Sequence, residues 1–400
     1  MLSARRERNS GMSPLSVRLV EKFSDLVDLG PVWESWAGDV PFRSPVWLLT
    51  WWRHYGDAGR RGAARPRLFT LVVERDGRPV GLAPWYCERS LWQGRTLRFL
   101  GTGEVCSDYL TLLGDEAERE AVVGAIVEFL CGPGRSRWDR LELECLPADD
   151  GPLQALTAAF ERRAVVVDRR PGPNCWRLPL ADDYETYLAH LSKSHRKEQR
   201  QLAKRVLDTA RAEWHTVVTP DEFERGWAVL IDLHQRRRRS LGEPGCFASP
   251  RFTAFHHEVA QRLLDQGRLR LHYLEVDGTP IAAEYQLVGG RTLYGYQAGI
   301  DPERLDLEPG RLANVGVVRR AIAEGLDCYD LLRGDEPYKA HWRARPTPTE
   351  HVSIAAPRRS SELRFATLQR LRRWKRARRA GLPRVPTADP SATLENAAAE

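Results

Sequence analysis

Two stretches of the chain show the run of apolar and polar positions that predicts a β-hairpin. "RLFTLVVERDGRPVGLAP" from Arg67 aligns without a gap with "RLRLHYLEVDGTPIAAEY" from Arg268. Each has a strand-like run, the dipeptide Asp-Gly and a second strand-like run, and Asp-Gly is a preferred centre for a tight hairpin turn. Beyond the turns, "GRTL" opens a further strand at Gly94 and again at Gly290. The same three-strand unit is therefore predicted twice.

Helical segments and a final strand accompany both hairpins in the same order. F-x-S-P precedes each hairpin, at Phe42 and at Phe247. Ser there accepts from free amides as a helix N-cap, and Pro at the first helical position has no amide to leave unpaired. After each hairpin come a helix and a strand, "EREAVVGAIVEFL" with "WDRLELECL" and "RLANVGVVRRAIAEG" with "LDCYDLL". Four shared features in one order indicate a duplication, with a first repeat at 15–175 and a second repeat at 176–357.

Composition places these repeats in a globular protein without a membrane span. Hydrophobic residues make up 42% of the chain and charged residues 29%, and no apolar run reaches the roughly 18 residues that a transmembrane helix needs. No apolar segment of a signal peptide follows the charged N-terminus, so a cytoplasmic location is expected. The seven Cys include no C-x-x-C pair. We expect free, mostly buried thiols and no metal site.

Basic charge is concentrated near the C-terminus. Segment 358–380 holds ten Arg and Lys against one Glu, a local charge of +9 within a total of +7, which leaves −2 for the rest of the chain. Four apolar residues recur there at helical spacing: Phe365, Leu368, Leu371 and Trp374. The pattern predicts a basic amphipathic helix. Its stripe either docks on the protein, or contacts an anionic membrane at its inner face or RNA. Segments 1–14 and 381–400 are predicted to be disordered.

Each repeat runs helix, helix, strand, strand, strand, helix, strand, and its sequence resembles a known family. "IAAEYQLVGGRTLYGYQAGIDPERLDLEPGRLANVGVVRRAIAEGLDCYDLLRGDEPYKAHW" and "PFRSPVWLLTWWRHYGD" are similar to the CelD-type acyltransferases associated with polysaccharide biosynthesis, members of the GNAT superfamily. The resemblance covers about 30–345. It implies an α/β fold of tandem GNAT-like domains, each a mixed, mostly antiparallel sheet flanked by helices. The chain is more distantly similar to the Fem-type peptidyltransferases, which take amino acids from charged tRNA.

The resemblance also implies a donor site for acyl-CoA, with acetyl-CoA as the expected co-substrate. "LEPGRLAN" brings Pro309, Gly310 and Arg311 to the start of a helix, where amides and the helix dipole favour a phosphate. Gln297 on the preceding strand is a further candidate for the cofactor. Leu307 and Leu312 depart from the superfamily's (Arg/Gln)-x-x-Gly-x-(Gly/Ala) pattern. The alternative is that Pro-Gly only starts a helix.

The block "LLRGDEPYKAHW" supplies most of the predicted chemistry. Acyl transfer needs a base for the nucleophile's proton and an acid for the leaving group. The resemblance implies that Tyr338 is the acid, and Lys339 with Arg333 would hold an anionic acceptor or the oxyanion. Asp335, like Glu336 or Asp330, would be the base or orient these cations. The alternative is an ionic network that ties the loop to the sheet.

Other candidates lie outside that block. Glu284 interrupts the apolar strand "IAAEYQLV", and because a buried carboxylate is costly without a partner, it is a second candidate for the base. The resemblance implies that Asp108 and Tyr109 in the first repeat lie near the cleft between the repeats. With Asp330 and Trp342, they are the residues expected to bind the acceptor. The first repeat lacks the Pro-Gly and is expected to bind no CoA.

These observations predict an acyltransferase that acts on an amine or hydroxyl. The acceptor would be a small molecule, a saccharide or a lipid, within polysaccharide or cell-envelope biosynthesis as the resemblance implies. Two alternatives remain. A Fem-like transferase would use aminoacyl-tRNA, and a non-catalytic scaffold would bind at the envelope through 358–380.

Overall fold

Both Asp-Gly dipeptides close tight turns, as their sequences predict. The structure, a computed structural model, describes residues 13–56 and 65–380, the last six of these by their backbone alone. The backbone φ is 50° at Asp76 and 75° at Gly77, and 52° at Asp277 and 74° at Gly278. Two consecutive positive φ angles are the signature of the hairpin turn whose twist matches that of the strands.

The described residues form twelve α-helices and seventeen strands. The helices are α1 (Phe23–Val27), α2 (Gly30–Ala37), α3 (Pro45–Tyr55), α4 (Arg119–Cys131), α5 (Gly151–Glu161), α6 (Tyr184–Ala189), α7 (Lys193–Arg205), α8 (Pro220–Ser240), α9 (Pro250–Asp265), α10 (Pro309–Ala323), α11 (Pro337–His341) and α12 (Arg359–Ala380). The strands are β1 (Leu15–Val20), β2 (Arg67–Leu68), β3 (Thr70–Arg75), β4 (Arg78–Ala83), β5 (Trp85–Ser90), β6 (Gly94–Phe99), β7 (Leu113–Gly114), β8 (Arg140–Pro147), β9 (Val167–Pro171), β10 (Cys175–Pro179), β11 (Ala212–Thr216), β12 (Leu269–Val276), β13 (Thr279–Gly289), β14 (Thr292–Ile300), β15 (Cys328–Arg333), β16 (Arg345–Thr347) and β17 (Thr349–Ala355).

The two F-x-S-P sequences begin α3 and α9 by the predicted mechanism. The Ser44 hydroxyl accepts a hydrogen bond from the amide of Trp47 at 3.2 Å, and the Ser249 hydroxyl accepts one from the amide of Phe252 at 3.3 Å. In both helices Pro follows the cap directly. Each cap satisfies an amide that would otherwise have no partner at the helix start.

The strand order of the sheets repeats between the two halves of the chain. One sheet has seven strands in the order β11-β12-β13-β14-β15-β10-β16. The other two sheets have the orders β1-β3-β4-β7 and β2-β5-β6-β8-β17-β9. Pro84 separates β4 from β5, which together correspond to the single strand β13. If β4 and β5 are counted as one strand, the two smaller sheets together have the order β1-β3-β4/β5-β6-β8-β17-β9. This order corresponds position by position to that of the seven-stranded sheet. Each order contains one parallel pair, β6 with β8 and β14 with β15.

One strand near the C-terminus completes the sheet of the first repeat. β17 lies between β8 and β9 and pairs antiparallel with both. The corresponding position in the seven-stranded sheet, between β15 and β16, is filled by β10, which directly follows β9 in the chain. β10 and β17 thus occupy equivalent positions in the two sheets, and the sheet of the first repeat depends on a strand from the end of the second repeat.

An aromatic core joins the repeats where α3 packs against α9. The Trp47 ring lies 5.2 Å from that of Phe255 and 5.5 Å from that of Tyr296, and its indole N–H donates to the Ser107 hydroxyl at 2.8 Å. Trp47 and Phe255 are fully buried. Edge-to-face aromatic pairs of this kind stabilise beyond their buried area. The two repeats therefore share one core and hold each other in a fixed position.

The predicted basic helix is α12, and only part of its apolar stripe is buried. Phe365 is 5% exposed beneath the sheet of the first repeat, with the Arg140 guanidinium 5.5 Å from its ring. Leu371 is 48% exposed and Trp374 is 53% exposed. The predicted disorder of 381–400 and of all but two residues of 1–14 concerns segments outside the described residues. Within the described part of the chain, no helix has the length and apolar character needed to cross a bilayer.

Candidate active site

The parallel strands β14 and β15 diverge partway along their length. They pair from Thr292 with Cys328 to Tyr294 with Asp330, but β14 continues to Ile300 along β13 alone. The register between β13 and β14 also shifts at Tyr285 and Gln286, as a β-bulge does. Such a divergence opens a wedge between two neighbouring strands, with the backbone edge of β14 on one side. We call this the β14/β15 wedge.

Glu284 lies on the floor of the β14/β15 wedge. It faces Ala298 across the strand pair, and Ala298 is exposed although it lies within a strand of the sheet interior. Glu284 itself is 8% exposed. Its carboxylate accepts a 3.3 Å hydrogen bond from the Gln286 side chain, and no Lys, Arg or His among the described residues forms an ion pair with it. Burial raises the pKa of Glu284 to about 8.

The side chains of Gln286 and Tyr329 complete this floor, and neither residue was predicted from the sequence. The Gln286 amide donates to the Tyr329 hydroxyl at 3.2 Å, while the Gln286 Oε1 atom is buried without a hydrogen-bond partner. A Cβ on Gly295 would approach the Tyr329 hydroxyl to 3.0 Å, so glycine there makes room for the ring. The signal in the sequence was a second polar residue two positions after Glu284, which places it on the same face of the strand.

Tyr338 approaches the same floor from α11. It lies in the first turn of this helix, which follows β15 after a three-residue connection. Burial first, and then the charges of Glu336 and Glu284, raise the pKa of Tyr338 above its ordinary value. The phenol thus keeps its proton and lies within electrostatic reach of Glu284. A neutral phenol within electrostatic reach of a carboxylate of raised pKa provides one group that can donate a proton and one that can accept a proton.

Lys339 anchors α11 to the end of β15. Its side chain is 2% exposed, and its ammonium donates to the carbonyl oxygens of Leu332, Arg333 and Gly334 at 3.3, 3.0 and 3.1 Å. It also pairs with the Glu336 carboxylate at 2.8 Å. All three donors of the ammonium are therefore engaged with the loop. These contacts hold Tyr338, one residue earlier, over the β14/β15 wedge.

Arg333 and Asp108 form an ion pair between the repeats. The Arg333 Nε donates to the Asp108 carboxylate at 2.5 Å, and Arg333 also donates to the Ser107 carbonyl at 2.9 Å. Asp108 is 1% exposed, and burial raises its pKa. A positive φ of 55° at Leu332 interrupts the regular alternation of β15 just before Arg333. The guanidinium is directed at the first repeat in this arrangement.

Asp330 lies on the face of β15 opposite to Tyr329. It accepts a 2.6 Å hydrogen bond from the Tyr109 hydroxyl, and the Arg177 guanidinium lies 3.6 Å from its carboxylate. Burial raises the pKa of Asp330 to about 6. Because successive residues of a strand point to opposite faces, the sheet separates Asp330 and Tyr109 from Glu284.

Asp335 and Trp342 make contacts away from the floor of the β14/β15 wedge. The Asp335 carboxylate is exposed and accepts hydrogen bonds from the Asn174 amide at 2.8 Å and from the Trp176 indole at 3.1 Å. Trp342 is 4% exposed and packs in the apolar cluster between α10 and the sheet, with its ring 5.6 Å from that of His195. The structure thus brings Glu284 and Tyr338 together and places the other predicted residues around them or across the sheet.

A glutamate carboxylate lies beside two arginines at the start of α10. Glu308 precedes the helix with a φ of 54°, and it pairs with Arg205 at 2.8 Å and with Arg311. Arg311 also pairs with Glu198 at 3.4 Å. Pro309 is buried, while Gly310 and Gln297 are half-buried. Two arginines and two glutamates leave this helix start without net positive charge.

One group of side chains among the described residues has spacing suited to a metal ion. Ligand atoms of Glu213, His215 and Glu275 lie within 4.8 Å of one another on β11 and β12. Arg225 already pairs with the Glu275 carboxylate at 3.0 Å, and His215 contacts it at 3.2 Å. These contacts satisfy the cluster as an ion-pair network on the sheet surface.

Comparison with known proteins finds a family match within the second repeat. Residues 192–340 match the family model of the acetyltransferase (GNAT) domain. The matched segment begins at the N-cap of α7 and includes the β14/β15 wedge, Glu284 and Tyr338. No curated protein sequence has significant similarity to the chain.

Solved structures share the fold over most of the chain. FemX has 9% sequence identity and a TM-score of 0.58, with 84% of this chain and 96% of that chain covered. A conserved protein of unknown function from Bacteroides thetaiotaomicron has 10% identity and a TM-score of 0.53, covering 85% and 100%. The L-PGS structure from Bacillus licheniformis has 12% identity and a TM-score of 0.51, covering 88% and 98%. At these identities the likeness establishes a common fold. The predicted α/β fold, with mixed sheets flanked by helices and a GNAT-like second repeat, is confirmed.

Proposed function

We propose that this protein is an acyltransferase whose reaction takes place in the β14/β15 wedge, with acyl-CoA, and acetyl-CoA first among these, as the donor. The observation that carries the proposal is the position of Glu284. It is a buried carboxylate with a pKa near neutrality, without an ion-pair partner among the described residues, at the point where two parallel strands separate. An unpaired carboxylate is too costly in a strand for packing alone to explain it.

The residues of the wedge supply a base and an acid. The nitrogen or oxygen of an acceptor attacks the donor's carbonyl carbon and gives its proton to the Glu284 carboxylate. As the bond from that carbon to the leaving atom breaks, Tyr338 gives its phenolic proton to the leaving atom. The unpartnered Gln286 Oε1 can accept a hydrogen bond from the N–H or O–H of the acceptor. The acceptor is thereby oriented toward Glu284.

The site suits the amide-containing arm of acyl-CoA better than it suits the diphosphate. The separated edge of β14 offers backbone groups to an extended amide-containing arm, as a strand edge does to a peptide. The start of α10 is less suited to a diphosphate, because the Glu308 carboxylate lies where the helix dipole would favour the anion. Glu308 is the observation that favours the second candidate, a transferase whose acyl group arrives on aminoacyl-tRNA.

Native mass spectrometry with acetyl-CoA tests the donor. One bound molecule per chain is expected, and Gly310→Asp should lower the affinity at least about tenfold, because a second carboxylate at the start of α10 repels phosphate. Gly151→Asp is the matched control, since Gly151 begins α5 in the first repeat and should leave binding unchanged. Absence of a CoA complex, with retention of an aminoacyl-tRNA, would support the second candidate instead.

Tyr338→Phe tests the acid. The change removes one hydroxyl and keeps the ring, so kcat is expected to fall by about tenfold to a hundredfold, with little change in KM. Steady-state kinetics at several pH values measure the effect. Tyr184→Phe is the matched control, because Tyr184 is a half-buried tyrosine on α6. Equal kcat in the Tyr338→Phe variant and the wild-type protein would remove Tyr338 from the mechanism.

A further inference from the structure

Two large apolar side chains project from the turn between β5 and β6. Leu91 is 95% exposed and Trp92 is 81% exposed. Both occupy the connection before Gly94, which has a φ of 73°. Single exposed apolar residues are common on protein surfaces, but adjacent Leu and Trp at a protruding tip mark a contact site more often than chance would.

The outward face of α12 carries a second set of exposed apolar residues. Ser361 and Phe365 are buried against the sheet of the first repeat. Leu363 is 70% exposed and Leu371 is 48% exposed, and a separation of eight residues places them on one face of the helix, away from Phe365. The full α12 sequence holds nine Arg and Lys against a single acid, Glu362. Its outward face therefore combines aliphatic side chains with positive charge.

The hairpin tip and α12 adjoin one another. The Arg364 guanidinium occupies the space where a Cβ on Gly94 would lie. A recess of about 490 Å³ lies between them, and its lining includes four arginines, namely Arg89, Arg95, Arg358 and Arg364. The one acid in the lining is Asp139, which accepts from the Arg95 guanidinium at 3.0 Å and from the Arg358 guanidinium at 2.5 Å. The recess thus has an excess of three positive charges, between the two exposed apolar groups.

We infer that this surface, formed by the β5/β6 tip, the Arg-lined recess and the outward face of α12, binds an anionic lipid bilayer. Leu91, Trp92, Leu363 and Leu371 enter the interfacial region, and the recess receives a lipid phosphate. Trp is favoured at this depth because its ring is amphipathic. Arginines of the recess and helix are attracted to the negative surface.

Charge and apolarity together decide between a bilayer and RNA. Arginines alone would suit either anion, since both present phosphates. Exposed aliphatic side chains such as Leu91 and Leu363 do not stack on bases, whereas they gain free energy in the acyl region of a bilayer. The surface is formed by the first repeat and α12, and it does not depend on the chemistry proposed for the β14/β15 wedge. It predicts that the protein works at a membrane surface.

Vesicle flotation of the full chain tests this inference. Phosphatidylcholine vesicles that contain phosphatidylglycerol should carry the protein upward, vesicles of phosphatidylcholine alone should not, and added salt should release it. The double variant Leu91→Ser with Trp92→Ser should weaken binding roughly tenfold, since it removes two apolar side chains from the contact. Arg364→Gln should weaken binding roughly fivefold, the contribution of one cation near an anionic surface.

Val218→Ser is the matched control, because Val218 is 66% exposed in the connection between β11 and α8. It should bind vesicles as the wild-type protein does. Thermal unfolding of each variant verifies that it is folded. We expect the variants to fold because the substituted side chains are exposed. Equal flotation of the tip variant and the wild-type protein would overturn the inference. Equal binding to both kinds of vesicle, or retention of RNA without vesicle binding, would overturn it as well.

Discussion

Replacement of Glu284 by Gln should lower kcat/KM by about a hundredfold or more. Gln has nearly the same size, but it cannot accept the acceptor's proton, and a positioned general base contributes about 10² to 10⁴ in rate. Because burial raises the pKa of Glu284 to about 8, activity of the wild-type protein should increase with pH and level off above that value. The residual activity of the variant should lack this dependence. A pH profile of kcat/KM measures both effects.

The same substitution has a second signature, in stability. The folded state holds the Glu284 proton up to a pH of about 8, whereas an unfolded Glu loses it near its ordinary pKa of about 4.3. The raised pKa therefore stabilises the fold fully below about 4.3, and that contribution is lost as the pH increases toward 8. Glu284→Gln should melt at a higher temperature than the wild-type protein at pH 8 and at a similar temperature at pH 4.

Glu213→Gln serves as the control for both measurements, because Glu213 is exposed on β11. It should leave the activity and both melting temperatures unchanged. Full activity of Glu284→Gln, together with the predicted rise in melting temperature, would show that Glu284 is a buried carboxylic acid without a catalytic role. Both signatures together would make Glu284 the base.

Arg333→Met is expected to lower the free energy of unfolding by about 3 to 5 kcal/mol. The substitution leaves the Asp108 carboxylate, which is 1% exposed, without its guanidinium partner, and an uncompensated buried charge has this order of cost. Chemical denaturation measures the change. Arg291→Met is the control, because the ion pair of Arg291 with Asp327 is exposed, and exposed pairs contribute about 1 kcal/mol or less.

A double variant separates a role in stability from a role in catalysis. Asp108→Asn combined with Arg333→Met removes both charges, so much of the lost stability should return. If the double variant is stable and active, the pair holds the repeats together. A stable Arg333→Met single variant with greatly reduced activity would contradict this expectation and would place Arg333 on the substrate.

Local features of the fold were predictable from the sequence, whereas its long-range pairings were not. The Asp-Gly turns and the Ser-Pro helix starts depend on a few neighbouring residues, so their backbone conformation is encoded where they occur. The insertion of β17 between β8 and β9 joins segments about two hundred residues apart. No local pattern in "TEHVSIA" distinguishes that partner from the strands of the second repeat.

In the candidate site, too, local features were predictable from the sequence and long-range contacts were not. Strand alternation identified Glu284, and the same reasoning applied two residues further would have identified Gln286. The contacts of Lys339 depend on the backbone after β15, where Gly334 has a φ of 121° and the carbonyls turn toward one point. A sequence shows that a Lys and a Tyr are adjacent, but not that the ammonium is engaged by three carbonyls.

The insertion of β17 into the sheet of the first repeat has a consequence for a chain that folds while it is being synthesised. The ribosome releases β8 and β9 long before β17, so the gap between them remains open until almost the whole second repeat has emerged. Unpaired strand edges are sites of wrong pairing and aggregation. Maturation of the first repeat is thus delayed until the second repeat has been synthesised, and nascent chains interrupted before Thr349 lack the strand that closes its sheet.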